Sequence, residues 1–382
     1  MAEFIEGSLR TIVSSVIAKE SPLYVQYYIT ARCNLRCEQC NVIYANADQG
    51  ECDTATSLRI IESLKKIGTS VILFTGGEPF IRPDLHQLVR KCVELGVHPR
   101  IQTNGLASED ELIEVVRSGA RDISISLDSL TPSTQDKING SFDNSWTRAI
   151  QTISLVSNIF PKNAFAAFGC VLSPTNLKDI TKVIRFATKI GWWVSLVPAH
   201  STPKHEARAF STFDRNLDFA PTQYGEVRKV LQEVKLMKKS GYNVYDSDVY
   251  LDDIYRFVTK QPTKWRSRNN GTCDSPTSYF AVTPNGEMAV CCDWRTPNKY
   301  PVQDLNFPTR YKSQEMFPEI NQIAKSCSGC MYGSYPEITT SIRFFGAALE
   351  RFKIFIAESR TEIVPHTPDE LFELARGIVS HG

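Results

Sequence analysis

The chain has 382 residues, 42% hydrophobic and 22% charged, with a formal net charge of +1. That balance suits one large core or two to three domains, and it offers no charged field for nucleic acid or an anionic membrane. No apolar run approaches the ~20 residues that span a bilayer, and eleven cysteines are too few, and odd in number, for a disulfide scaffold, so reduced thiols in a cytoplasmic setting are expected.

Met1–Glu20 carries Glu3, Glu6, Arg10 and Lys19 among scattered apolar residues. It lacks the apolar core and cleavage pattern of a signal peptide and reads as an amphipathic helix in an N-terminal segment, 1–22. From Tyr24 to His200 strand and helix patterns alternate. Strands are expected at Tyr24–Thr30, Val71–Thr75, Val97–Thr103, Asp122–Asp128, Ala164–Val171 and Trp192–Pro198. Helices are expected at Ala55–Ile67, Leu85–Leu95, Asp110–Ser118, Trp146–Ile159 and Leu177–Ile190. Such β/α units imply a parallel sheet under helices, either a barrel or a doubly wound sheet, with ligand sites at the C-terminal strand ends.

Residues 201–270 turn polar, with irregular loop at Arg208–Asp218 and helical spacing at Thr222–Lys239, and read as a bridging or lid region. Residues 271–336 form a second module. Its clearest piece is the run from Tyr279 to Cys291, a hairpin turning at Asn285-Gly286, which lets Cys273 and Cys291 approach. Residues 337–382 form a helical tail whose amphipathic stretch Ile338–Arg360 is expected to pack across the barrel.

The most informative pattern is Cys33-x3-Cys37-x2-Cys40, in a loop after the first strand. Three thiolates on one short loop can hold three irons of a [4Fe–4S] cube and leave the fourth open to an outside ligand. A zinc site is the alternative, but structural zinc wants four ligands and no nearby histidine supplies one; Cys52 lies well past the loop.

At these residues the sequence resembles the radical S-adenosylmethionine (SAM) superfamily. The resemblance continues through Thr75-Gly76-Gly77-Glu78-Pro79 after the second strand, Thr103-Asn104-Gly105 after the third, and Ser124-Ile125-Ser126-Leu127-Asp128 at the fourth. Glycines allow close backbone approach to a ligand, and Glu78 or backbone carbonyls are suited to accept from an ammonium group. The resemblance implies a partial (β/α)6 TIM-like barrel at 23–200. It also implies SAM binding by Gly76, Gly77, Glu78, Pro79, Asn104, Ser126 and Asp128, and an external one-electron reductant such as flavodoxin or ferredoxin. One departure stands out: Gln39 occupies a position where the family often has an aromatic residue, leaving Tyr44 as a substitute for adenine stacking.

A second group, Cys273, Cys291, Cys327 and Cys330, resembles the auxiliary-cluster module of SPASM or twitch type that follows many such barrels. No cysteine follows Cys330, so four ligands suit one auxiliary [4Fe–4S] cluster; a zinc knuckle is the alternative. Either Cys291 or Cys292 serves as ligand, with spacing from Gly286 favouring Cys291. Cys292 is then a hydrogen-atom donor or a buried apolar residue. Cys92 and Cys170 read as core. His200 and His205, after the sixth strand, are candidate bases, and Trp265-Arg266 a candidate pocket lining.

The pattern is similar to that of the 2-deoxy-scyllo-inosamine dehydrogenases of this superfamily. That similarity implies an oxidoreductase acting on a small sugar-like, aminocyclitol or natural-product substrate, with the auxiliary cluster accepting an electron. The alternatives are a peptide- or protein-modifying maturase or epimerase, which often carries a peptide-binding domain before the barrel, and a non-catalytic iron–sulfur electron carrier. Only 32 residues precede Cys33, which weighs against the maturase unless a separate partner supplies that domain.

Overall fold

The computed structural model describes residues 21–40, 50–199, 217–267, 273–327, 329–356 and 362–381. The N-terminal helix expectation, Tyr44, His200, His205 and nearly all of the 208–218 loop lie outside them.

Strand β1 (Tyr24–Thr30), helix α1 (Thr54–Lys66), β2 (Val71–Gly76), α2 (Leu85–Glu94), β3 (His98–Thr103), α3 (Glu109–Arg117) and β4 (Asp122–Ser126) follow in order. Then come α4 (Pro132–Ile138), α5 (Ser145–Ile159), β5 (Phe165–Leu172), α6 (Ile180–Lys189) and β6 (Trp193–Pro198). Period-2 alternation assigns the two faces of β1. Val25, Tyr27 and Ile29 join the large core beneath the helices, while Tyr24 and Tyr28 join a separate cluster on the concave face. All pairings from β1 to β6 are parallel, the (β/α)6 arrangement expected. The sixth helical stretch begins as a 3-10 turn at Leu177–Asp179, and α4 appears where no helix was expected.

The bridging region holds α7 (Tyr224–Lys239), α8 (Asp248–Val258) and the single turn α9 (Lys264–Ser267). Helix α8 escaped the sequence reading, although Ser247 caps it by accepting from the Tyr250 N–H at 3.2 Å.

The hairpin of the second half, β7 (Tyr279–Val282) and β8 (Met288–Ala289), is antiparallel and turns through Gly286 at φ +85°. It is not a free-standing piece. Strand β7 pairs in parallel with β1, Tyr24 opposite Tyr279 and Tyr27 opposite Val282. The described strands therefore form one sheet in the order β6-β5-β4-β3-β2-β1-β7-β8. Backbone groups on the outer edge of β1 would otherwise lack partners.

Helices α10 (Phe307–Lys312) and α11 (Phe317–Ser326) precede the tail, which divides at Phe344 into α12 (Ser334–Arg343) and α13 (Phe345–Ile356), followed by α14 (Pro368–His381). Helix α12 lies against the concave face. The Tyr24 hydroxyl meets Ser334 Oγ at 3.0 Å, the Tyr279 hydroxyl meets Thr339 Oγ1 at 3.0 Å, and the Tyr279 and Tyr335 rings stack at 4.6 Å. Each buried aromatic side chain there contributes roughly 1.5–3 kcal/mol.

Candidate cluster and cofactor site

The three-cysteine loop hangs from the C-terminal end of β1 and is fastened on three sides. Glu51 accepts from Thr30 Oγ1, from the Ala31 N–H at 3.1 Å and from Arg32 Nε at 3.2 Å, tying down the base of the loop. From β2, the Gly77 N–H donates to Thr30 O at 2.9 Å and the Glu78 N–H to Arg32 O at 2.8 Å. A Cβ on Gly76 would stand 2.3 Å from Thr30 O, and one on Gly77 1.9 Å from Arg32 O. The close approach these glycines permit is thus to the cysteine loop itself.

The third fastening is α4, the helix missed in the sequence. The Glu38 N–H donates to Ile138 O at 2.9 Å, Cys37 Sγ meets Asn139 Oδ1 at 3.5 Å, and a Cβ on Gly140 would stand 2.2 Å from Arg36 O. Gln135 Oε1 accepts from the Asp128 and Ser129 N–H groups at 2.8 and 2.9 Å. Glu51, Gln135, Asn139 and Gly140 were not singled out from the sequence. Only the Asn139-Gly140 turn pair carried a signal.

Glu78 is 2% exposed. Its carboxylate accepts from Phe80 N at 3.1 Å, Thr103 Oγ1 at 2.8 Å and Asn104 N at 2.7 Å. Burial pushes its pKa up to about 7 against the pull of those bonds. The side chain braces the ends of β2 and β3. Asn104 Nδ2 donates to Asn34 Oδ1 at 2.7 Å and lies 4.0 Å from Cys33 Sγ. Asp128 is buried, accepts from Val171 N at 2.7 Å and from Gln39 Nε2 at 2.7 Å, and is pushed up to about 6 by burial. Gln39 thereby ties the last turn of the loop to the end of β4, while its Oε1 is buried without a partner. Ser126 sits one step down, 3.4 Å from Gln102 Nε2, and Pro79 opens a 3-10 turn at Pro79–Ile81.

The second cysteine group gathers in the same way. Cys273 and Cys330 each lie within electrostatic reach of Cys291 and Cys327. A shared feature marks both groups. Cys33, Cys291 and Cys327 each receive a backbone N–H from the residue two positions on: Leu35 at 3.5 Å, Asp293 at 3.4 Å and Gly329 at 3.3 Å. Donors aimed at sulfur favour the thiolate that binds iron. Cys291, not Cys292, shares this feature. Cys292 is 1% exposed and hydrogen-bonded to Tyr332. Trp265 is also buried. Cys92 and Cys170 are core residues.

Burial pushes the Cys33 thiol up to about 12, Cys273 up to about 11, and Cys37 and Cys330 well above the ordinary thiol range. Among the described residues no three His, Cys, Asp or Glu side chains close into a cage for a single ion. A cluster sets its own irons and sulfides between the thiolates, so its ligands stand farther apart than those of one ion. Soft sulfur donors with amide N–H groups aimed at them fit an iron–sulfur group.

Residues 27–187 match the Radical SAM superfamily. The chain is similar to an AdoMet-dependent heme synthase of Methanosarcina barkeri, 28% identical over 45% of this chain and 48% of that protein. It is also similar to a PqqA peptide cyclase of Methylorubrum extorquens, 28% identical over 45% of this chain and 44% of that protein. The aligned segments thus span less than half the length of these two relatives. Among solved structures the fold resembles Streptococcus suis SuiB bound to precursor peptide SuiA, with TM-score 0.60, 15% identity, and coverage of 86% of this chain and 75% of that one. The match to the Radical SAM superfamily, whose members use a [4Fe–4S] cluster and SAM, thus covers most of the barrel of this chain. No helix among the described residues is long and apolar enough to cross a membrane.

Proposed function

We propose that the chain is a radical SAM enzyme that removes hydrogen from a substrate C–H bond. In this reading Cys33, Cys37 and Cys40 hold the SAM-binding cluster, and Cys273, Cys291, Cys327 and Cys330 hold one auxiliary cluster. The observation that carries it is the convergence of the ends of β1 to β4 on the three-cysteine loop, through Gly77, Glu78, Asn104 and Asp128. When bound, the cluster and SAM supply one-electron cleavage of the sulfonium and a carbon radical able to attack an unactivated C–H bond. The chain's own residues supply placement. Glu78 and Asn104 hold the loop's first half, Gln39 and Asp128 its last turn, and α12 with Tyr335 fills the concave face and excludes water.

For the substrate we favour a peptide or protein side chain. A relative named for a peptide cyclase and a fold neighbour bound to a precursor peptide support that reading. A second reading, oxidation of an aminocyclitol-like alcohol, draws on the single set of four auxiliary thiols, which suits a one-electron acceptor.

Protein reconstituted anaerobically with iron and sulfide is incubated with SAM and a low-potential reductant, and 5′-deoxyadenosine is measured by chromatography. Formation by wild type and none by Cys37→Ala is expected. No product from wild type would leave an electron carrier. Adding a candidate precursor peptide or 2-deoxy-scyllo-inosamine then separates the substrate readings by which one acquires a mass change.

A further inference from the structure

The single turn α9 carries a cation to the second cysteine group. Asp253, buried on α8, accepts from the Lys264 N–H at 2.7 Å and the Trp265 N–H at 2.8 Å, which fixes the turn. Trp265 is 2% exposed, and its carbonyl accepts from Arg343 Nη1 at 2.6 Å. Held from both sides, the turn directs Arg266 onto the Cys327–Cys330 loop. Its Nη2 donates to Cys327 O at 2.7 Å. The guanidinium lies over Gly329 so closely that a Cβ there would stand 2.5 Å from Nη1, and Gly329 adopts φ +101°. The loop is thus shaped to receive this side chain.

Foremost among the charges acting on Cys273 and Cys330 are anionic groups: neighbouring thiols, Asp274 and Asp293. Asp274 already has its own cation, with Arg343 Nη2 at 2.6 Å from its Oδ1. Arg266 is the foremost cation acting on Cys327.

We infer that Arg266 raises the reduction potential of the iron–sulfur group held by Cys273, Cys291, Cys327 and Cys330, making that centre the electron sink of the molecule. This rests on the auxiliary-cluster reading above. A four-thiolate [4Fe–4S] centre carries a net charge of about −2 when oxidised and about −3 when reduced. A fixed guanidinium therefore stabilises the reduced form more. The role balances the chemistry. A substrate that has lost one hydrogen atom must lose one further electron, and then either lose a proton or capture a nucleophile, to become a closed-shell oxidised product. The oxidised auxiliary cluster takes that electron, and the proton passes to solvent.

The test uses full-length protein carrying Cys33→Ala, Cys37→Ala and Cys40→Ala, so that only the second group can bind a cluster. It is reconstituted anaerobically, its iron is counted, and its midpoint potential is read by electron paramagnetic resonance across a redox titration. Arg266→Gln is expected to lower the midpoint by at least 59 mV, a tenfold loss in the one-electron reduction equilibrium. Arg266→Lys, which keeps the charge without the planar fork, is expected to stay within that tenfold of the parent. An unchanged midpoint in Arg266→Gln with a full cluster signal would overturn the inference while leaving the auxiliary cluster standing. Equal drops in the Lys and Gln variants would assign the effect to the bond with Cys327 O and also overturn it. If Arg266→Gln assembles no cluster, the Lys variant decides: a near-parental midpoint supports the inference, and cluster loss there too makes Arg266 a structural strut. A parent protein that binds zinc or no iron removes the auxiliary-cluster reading itself.

Discussion

The two cysteine groups differ in what surrounds them. At the first, Arg32 at the base of the loop is paired with Glu51. Asn104, Asn139 and the Gln39–Asp128 pair touch or flank it, and the foremost charges acting on Cys33 and Cys37 are Glu78, Asp128 and the other thiols. The second has Arg266 laid over its loop. A negative setting disfavours adding an electron, and a positive one favours it. On the proposed reading, Arg266 would bias the second group toward accepting an electron relative to the first.

The sharpest way to break this contrast is to remove one thiol from each side. Cys37→Ala is expected to abolish 5′-deoxyadenosine formation while the protein keeps the iron of the second group. Cys327→Ala is expected to keep SAM cleavage and lose net turnover. Iron counting and product chromatography check both, and turnover in Cys327→Ala would mean the second group accepts no electron in this reaction.

A smaller effect is expected from Gly77→Ala. Its new methyl would stand 1.9 Å from Arg32 O, so β2 must draw back from the loop, with a loss of roughly 2–4 kcal/mol in stability. Thermal unfolding reads the loss, and SAM-dependent changes in the cluster's spectrum read the loop displacement. A variant with the parent's midpoint and spectrum would show that β2 does not seat the loop.

The smallest effect concerns Glu78. Its folded-state pKa is about 7 against an ordinary 4.5, so the folded chain holds a proton that the unfolded chain gives up earlier. This group's contribution to stability is present below about 4.5 and fades as pH rises to about 7. Glu78→Gln cannot titrate, so its melting temperature is expected to vary less with pH across that window. Parallel curves for the two proteins would show that Glu78 is ionised throughout.

The strands were legible because alternation in a run such as Tyr24–Thr30 is carried by the side chains themselves. The cysteine spacing was legible for the same reason. What escaped were contacts between distant segments. Helix α4 is short and polar, and its use lies in reaching Glu38 and Cys37 across some hundred residues. The glycines after β2 were read as room for a ligand, whereas Thr30 and Arg32 occupy that room. Arg266 looked like pocket lining because no local pattern ties it to Cys327. Nor does the hairpin's sequence say that β7 will join β1.

That last pairing has a practical consequence. Since β7 supplies the hydrogen-bonding neighbour of β1, and Tyr335 and Ser334 of α12 cover its inner side, a shortened protein ending near residue 270 would bare an edge strand and a tyrosine-lined trough together. Such a fragment is expected to self-associate rather than persist as a free barrel. The loop after β1 and the hairpin carrying Cys291 are likewise built onto one continuous sheet rather than joined by a tether, so their relative placement is set when the chain folds.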